Sequence, residues 1–134
     1  MSVKILIIED EIHIRRLLMQ TVELSFDELI DNDELEIFEA DNGEDGVKIA
    51  KEVLPALIFS DIMMPKMNGY VACKTIKEDP ALQGVYVVLL TAKGQKIDQE
   101  EGMKTGADEY MTKPFDPDNI VIVIENVLKI NRTN

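Results

Sequence analysis

Ala56-Leu57-Ile58-Phe59-Ser60-Asp61 opens on four apolar residues and closes on a hydroxyl and an acid. A short run with no polar alternate suits a strand covered on both faces, as in the middle of a parallel sheet. Val3 to Ile8 and Val85 to Leu90 are runs of the same kind, whereas Glu36 to Ala40 and Glu109 to Thr112 mix polar and apolar residues, as strands near a sheet edge do. Together they predict five strands.

The segments between these runs carry helical spacing. Glu11 to Leu24 places Ile14, Leu17, Leu18 and Val22 on one stripe. Gly43 to Val53 follows an Asn42-Gly43 turn, and Asn68 to Lys77 follows Asn68 as N-cap. Ile97 to Thr105 has few apolar residues and a glycine at Gly102, which predicts the least firmly packed of the helices. The last segment contains Ile120-Val121-Ile122-Val123-Ile124, a composition common in strands. Asp116 as N-cap, Pro117 at the first helical position and a continuation to Ile130 make it a helix instead, with Ile122 left on its polar side. Ser25 to Glu34 is the least regular stretch and reads as an extension of the first helix or an acidic loop.

Strict alternation of strand and helix predicts an α/β fold, a parallel sheet with right-handed crossovers and helices on both faces. Placing the apolar strands centrally selects the flavodoxin-like, doubly wound order 2-1-3-4-5. The 134 residues, 46% of them hydrophobic, suit one domain spanning 1–134. A formal charge of −12 repels phosphate backbones and argues against direct nucleic-acid binding. Cys73 is the only cysteine, so no intrachain disulfide forms and a reducing cytoplasm is expected. The N-terminus matches neither a signal peptide nor a membrane span.

In such a sheet, ligands bind beyond the carboxyl ends of the strands where the order reverses. The predicted ends there carry Glu9 and Asp10, Asp61, Thr91 and Lys113. Three gathered acids repel one another unless a cation joins them, and Mg²⁺ is the natural choice for hard oxygen ligands. Asp61 is the candidate nucleophile, Lys113 the point charge and Thr91 the hydroxyl donor, a kit sufficient for phosphoryl transfer.

The set Glu9-Asp10, Asp61-Ile62-Met63-Met64-Pro65 with Gly69, Thr91-Ala92 and Lys113-Pro114-Phe115 resembles the response-regulator receiver family over nearly the whole chain, in the manner of stand-alone chemotaxis regulators. Each motif is common alone; four in this order are specific. The resemblance implies that Glu9, Asp10, Asp61 and the backbone carbonyl of Met63 hold Mg²⁺. It further implies that a histidine kinase or phosphotransfer protein phosphorylates Asp61, with Thr91, Ala92 and Lys113 around the phosphoryl group and a cis bond before Pro114. Thr91 and Tyr110 would then switch the face made by the fourth predicted helix, the fifth strand and the fifth helix. That face would control a downstream protein, with a phosphorylation-dependent homodimer as one arrangement, and no output domain is expected. Met63 and Lys93 occupy places that tune dephosphorylation, and an apolar Met63 predicts a long-lived phosphoryl group.

Three other readings compete with this one. An aspartate-nucleophile phosphatase needs a second acid two residues past the nucleophile, where Met63 stands, so turnover is disfavoured. A receiver-like module used only for protein interaction needs none of the five polar residues. A flavodoxin wants a hydroxyl- and amide-rich loop where this chain has Glu9-Asp10-Glu11.

Overall fold

The structure is a computed structural model that describes residues 2–91 and 105–133. Five parallel strands form one sheet in the order β2-β1-β3-β4-β5. They are β1 (Val3–Ile8), β2 (Leu35–Ala40), β3 (Leu57–Asp61), β4 (Tyr86–Thr91) and β5 (Glu109–Thr112). The flavodoxin-like arrangement expected from the apolar runs is therefore present. β3 and β4 begin one residue later than predicted and run to Asp61 and Thr91, because the ladder pairs Asp61 with Leu90 and Thr91 with Thr112 irrespective of side-chain polarity.

Alternation along the strands divides the core in two. Ile5, Ile7, Leu57 and Phe59 point to one face and pack with α1 (Ile12–Ser25) and the C-terminal helix α5 (Pro117–Leu128). Leu6, Ile8 and Ile58 point to the other and pack with α3 (Gly43–Val53) and α4 (Gly69–Glu78). Every residue of β3 is buried, which is why that run could carry no alternating polar residue.

Local caps set where the helices start. Asn42, Asn68 and Asp116 each accept a backbone N–H of the following helix. Glu11 precedes α1 as its cap instead of opening it, accepting from His13 at 3.3 Å and Ile14 at 2.9 Å. Leu17 is 42% exposed and leaves the expected stripe, since Leu18, Thr21 and Val22 already fill the arc that faces the sheet. The β-branched run in α5 is helical, and Ile122 is the member left outside, 45% exposed. That helix ends at Leu128, two residues early, where Lys129 turns left-handed at φ 58°.

Beyond Ser25, the last residue of α1, the stretch to Glu34 is neither a straight continuation of that helix nor a loop throughout. Phe26 breaks the helix at φ −129°, ψ 34° and inserts a fully buried ring into the core. A separate turn of helix, α2 (Asp27–Asp31), then packs Leu29 and Ile30 against the same cluster. The chain end is fastened at this corner: the Thr133 N–H donates to the Ser25 carbonyl at 2.7 Å and its hydroxyl to Asp27 at 2.6 Å. Arg132 reaches Glu125 of α5 at 3.2 Å. The helix predicted over Ile97 to Thr105, apart from Thr105 itself, lies outside the described residues, as do Ala92 and Lys93. Among the described residues no helix is long and apolar enough to cross a membrane.

Candidate functional site

The parallel order brings the carboxyl ends of β1, β3, β4 and β5 to one rim of the sheet. Glu9 directly follows β1, and its N–H still bonds the Ala40 carbonyl of β2 at 3.0 Å. Its side chain is fully buried. Asp10 is exposed beside it, while Asp61 ends β3 with only a tenth of its side chain accessible. Carboxylate oxygens of Glu9, Asp10 and Asp61 all lie within 4.8 Å of one another. The three acids that the sequence predicts to converge do so.

Lys113 enters from the turn after β5. Its N–H donates to the Thr91 carbonyl at 2.6 Å, which fixes this segment against the end of β4. The Lys113–Pro114 bond is cis, as the resemblance implied. The Lys113 ammonium stands 2.6 Å from Glu9 Oε1 and 3.2 Å from Asp61 Oδ1. Asp61 Oδ1 also accepts the Ile62 N–H at 2.9 Å. Thr91 is buried at the adjacent strand end.

Two glycines let the backbone close around Asp61. A Cβ on Gly69 would lie 2.1 Å from the Asp61 carbonyl oxygen, and one on Gly43 would lie 2.2 Å from the Met67 carbonyl oxygen. Gly69 also donates its N–H to the Ile62 carbonyl at 2.7 Å, tying the start of α4 back to the strand it follows. Met63 lies in the loop so formed, 64% exposed.

Electrostatically the site holds one ammonium against three carboxyls. Burial pushes the Glu9 carboxyl up to about 7; Lys113 draws it back and Asp61 pushes it further. Burial alone would lower Lys113, but Glu9 and Asp61 outweigh it and raise the ammonium above its ordinary value. Glu9 Oε1 is buried and, although charge-paired with Lys113, makes no hydrogen bond of good geometry. Clustered hard oxygens with an incompletely satisfied buried carboxylate suit a small divalent cation. The acid set therefore fits Mg²⁺.

Tyr110 of β5 stands opposite Leu89, half-buried, with its ring against the α3–α4 face of the core and its hydroxyl buried. Burial raises its phenol pKa. Sequence reasoning passed over Arg15, which donates to the Glu9 carbonyl at 2.8 Å. The available signal was a cation placed beside Ile14 and one turn before Leu18 on the inward side of an amphipathic helix.

Comparisons with known proteins agree with this geometry. Residues 5–125 match the family model of the response regulator receiver domain. The chain is 35% identical over 126 residues to response regulator Rre1 of Synechocystis sp., covering 94% of this chain and 52% of the relative. It is 36% identical over 129 residues to the transcriptional regulatory protein SrrA of Staphylococcus aureus, covering 96% of this chain and 49% of the relative. It thus spans about half the length of these two relatives. Among solved structures, the chemotaxis response regulator CheY4 of Vibrio cholerae superposes with a TM-score of 0.77 at 25% identity, over 95% of this chain and 99% of that one.

Proposed function

This chain belongs to the response regulator receiver family of two-component signalling, and from that membership we propose that Asp61 accepts a phosphoryl group and thereby changes the surface offered to a partner. The supporting observation is the position of Asp61: at the end of a central strand, within reach of Lys113 and among the oxygens of Glu9 and Asp10.

In this reading an Asp61 carboxylate oxygen attacks phosphorus of a phosphohistidine on a histidine kinase or phosphotransfer protein. The P–N bond breaks, an acyl phosphate forms on Asp61, and the departing imidazole takes a proton. Glu9, Asp10, Asp61 and the Met63 carbonyl would hold Mg²⁺, which when bound would offset negative charge at the site. Lys113 leaves Glu9 to pair with the phosphoryl oxygens, and Thr91 with Ala92 completes the cradle. Movement of Thr91, followed by Tyr110, carries the change to β5, α5 and the helix predicted over Ile97 to Thr105.

We further propose that the chain acts as one receiver unit in the cytoplasm. It forms and slowly loses its own acyl phosphate and has no turnover activity on other substrates. Met63 offers no group to orient an attacking water and so sets a long phosphoryl lifetime, Lys93 being the second position that tunes it; decay within seconds in magnesium buffer would contradict this.

Intact-mass spectrometry after incubation with acetyl phosphate and Mg²⁺ tests the core of the proposal. One phosphoryl increment is expected, absent in Asp61→Asn. Its absence from the wild-type chain would favour a receiver used only as an interaction module. Beryllofluoride loading followed by size analysis and partner co-purification reads out the switch and any homodimer.

A further inference from the structure

Arg15 and Arg16 are neighbours on α1 with different surroundings. Arg16 is exposed, whereas Arg15 turns inward with 15% of its side chain accessible. Its Nη1 donates to the backbone carbonyl of Glu9 at 2.8 Å and its Nε to Glu39 Oε1 on edge strand β2 at 2.9 Å. The Glu9 N–H is already held by Ala40 at 3.0 Å. Both backbone polar groups of Glu9 are thus anchored, and the carbonyl anchored by Arg15 belongs to the peptide plane that leads into Asp10.

We propose that Arg15 is a positioning residue for the acid pair: by holding the Glu9 carbonyl it sets the direction in which the Asp10 carboxylate is presented to the cation. Glu39 keeps the guanidinium in place and cancels its charge. The inference rests on the Mg²⁺ reading of the acid cluster. Groups that orient metal ligands from behind typically contribute roughly 10- to 100-fold in affinity, and a guanidinium can bridge a carbonyl and a carboxylate in one fixed geometry where an ammonium cannot.

The roles open to Arg15 differ in sign. As a nearby positive charge alone it would repel Mg²⁺, and removing it would tighten binding. As a tie between α1 and β2 alone it would affect folding and leave affinity unchanged. As a positioning residue its removal weakens binding.

Calorimetric Mg²⁺ titrations of the whole chain and of Arg15→Ala, Arg15→Lys and Glu39→Gln separate these roles, each variant first shown to be folded in EDTA by thermal unfolding. Arg15→Ala should lose about 10-fold in affinity, with Arg15→Lys only partly restored. Glu39→Gln should lose less, and that smaller loss should shrink as salt is added. The metal-free Asp10 amide resonance should also move in Arg15→Ala. Unchanged or tighter Mg²⁺ binding by folded Arg15→Ala overturns the proposal. Should that variant not fold, wild-type affinity in Arg15→Lys does the same. No Mg²⁺ binding by the wild-type chain overturns the metal reading beneath it, so the two failures are distinguishable.

Discussion

Glu9 meets two opposed demands: it is buried, which favours a proton, and it faces Lys113, which favours charge. Burial prevails in the metal-free protein, lifting the carboxyl to about 7 from an ordinary 4.5. Between those values the folded state holds a proton that the unfolded chain releases, so Glu9 makes the protein less stable as pH rises through the window. Urea midpoints in EDTA should show this as a difference: relative to wild type, Glu9→Gln gains stability from pH 5 to pH 7. A constant offset would assign the pH dependence elsewhere. Gly69 gives a second prediction at this scale. Its absent Cβ would meet the Asp61 carbonyl oxygen and the Ile62 Cα, both backbone atoms that cannot swing aside. Gly69→Ala should cost about 1–3 kcal/mol and weaken Mg²⁺ binding, and a variant close to wild type in both titrations would refute the argument. The acids, Thr91 and Lys113 were legible from sequence because each stands at the carboxyl end of a predicted strand. Arg15 was only partly legible: helical spacing puts it on the inward side of α1, but the Glu9 carbonyl that it meets there is displayed by no residue pattern.

At the scale of elements, the strands were readable because the central ones are buried on both faces and so carry polar residues only near their ends. The break between α1 and α2 was hidden for the opposite reason. Phe26 fits a helix as well as it fits the core, and only tertiary burial decides. Phe26→Ala should therefore cost about 3–5 kcal/mol, while Leu24→Ala two residues away, at a site 70% exposed, should stay within about 0.5 kcal/mol of wild type. Equal effects in chemical denaturation would mean that Phe26 is not the anchor of that corner. Helix α3 ends on Leu54, which is left-handed at φ 54° and 53% exposed. Leu54→Gly should raise stability by about 0.5–1 kcal/mol, and a lower urea midpoint would show that the leucine contributes more than its backbone costs.

For the molecule as a whole, a chain with a formal charge of −12 gathers three of its acids at one rim of the sheet. A cation that binds only the folded form stabilises it by mass action, about 2.7 kcal/mol at 100 times the dissociation constant. In a domain of this size that is a rise in unfolding midpoint on the order of 10 °C. Magnesium should produce such a rise, EDTA should reverse it, and Asp10→Asn or Asp61→Asn should show little of it. An equal rise in those variants would locate the cation at another place. The parallel order was inferable because alternating strands and helices leave few topologies. The fastening of the chain end to the α1–α2 corner was not inferable, since Thr133 and Ser25 are 108 residues apart and hydroxyl-to-carbonyl bonds leave no trace in composition.

That fastening gives the molecule a mechanical character. A pull applied at residue 133 does not peel α5 turn by turn, because the load passes first into the hydrogen bonds at Ser25 and Asp27 and from there into α1. In an optical trap the intact chain should resist and then yield abruptly, whereas Thr133→Ala should give way earlier and more gradually, as a zipper does once its stop is cut off.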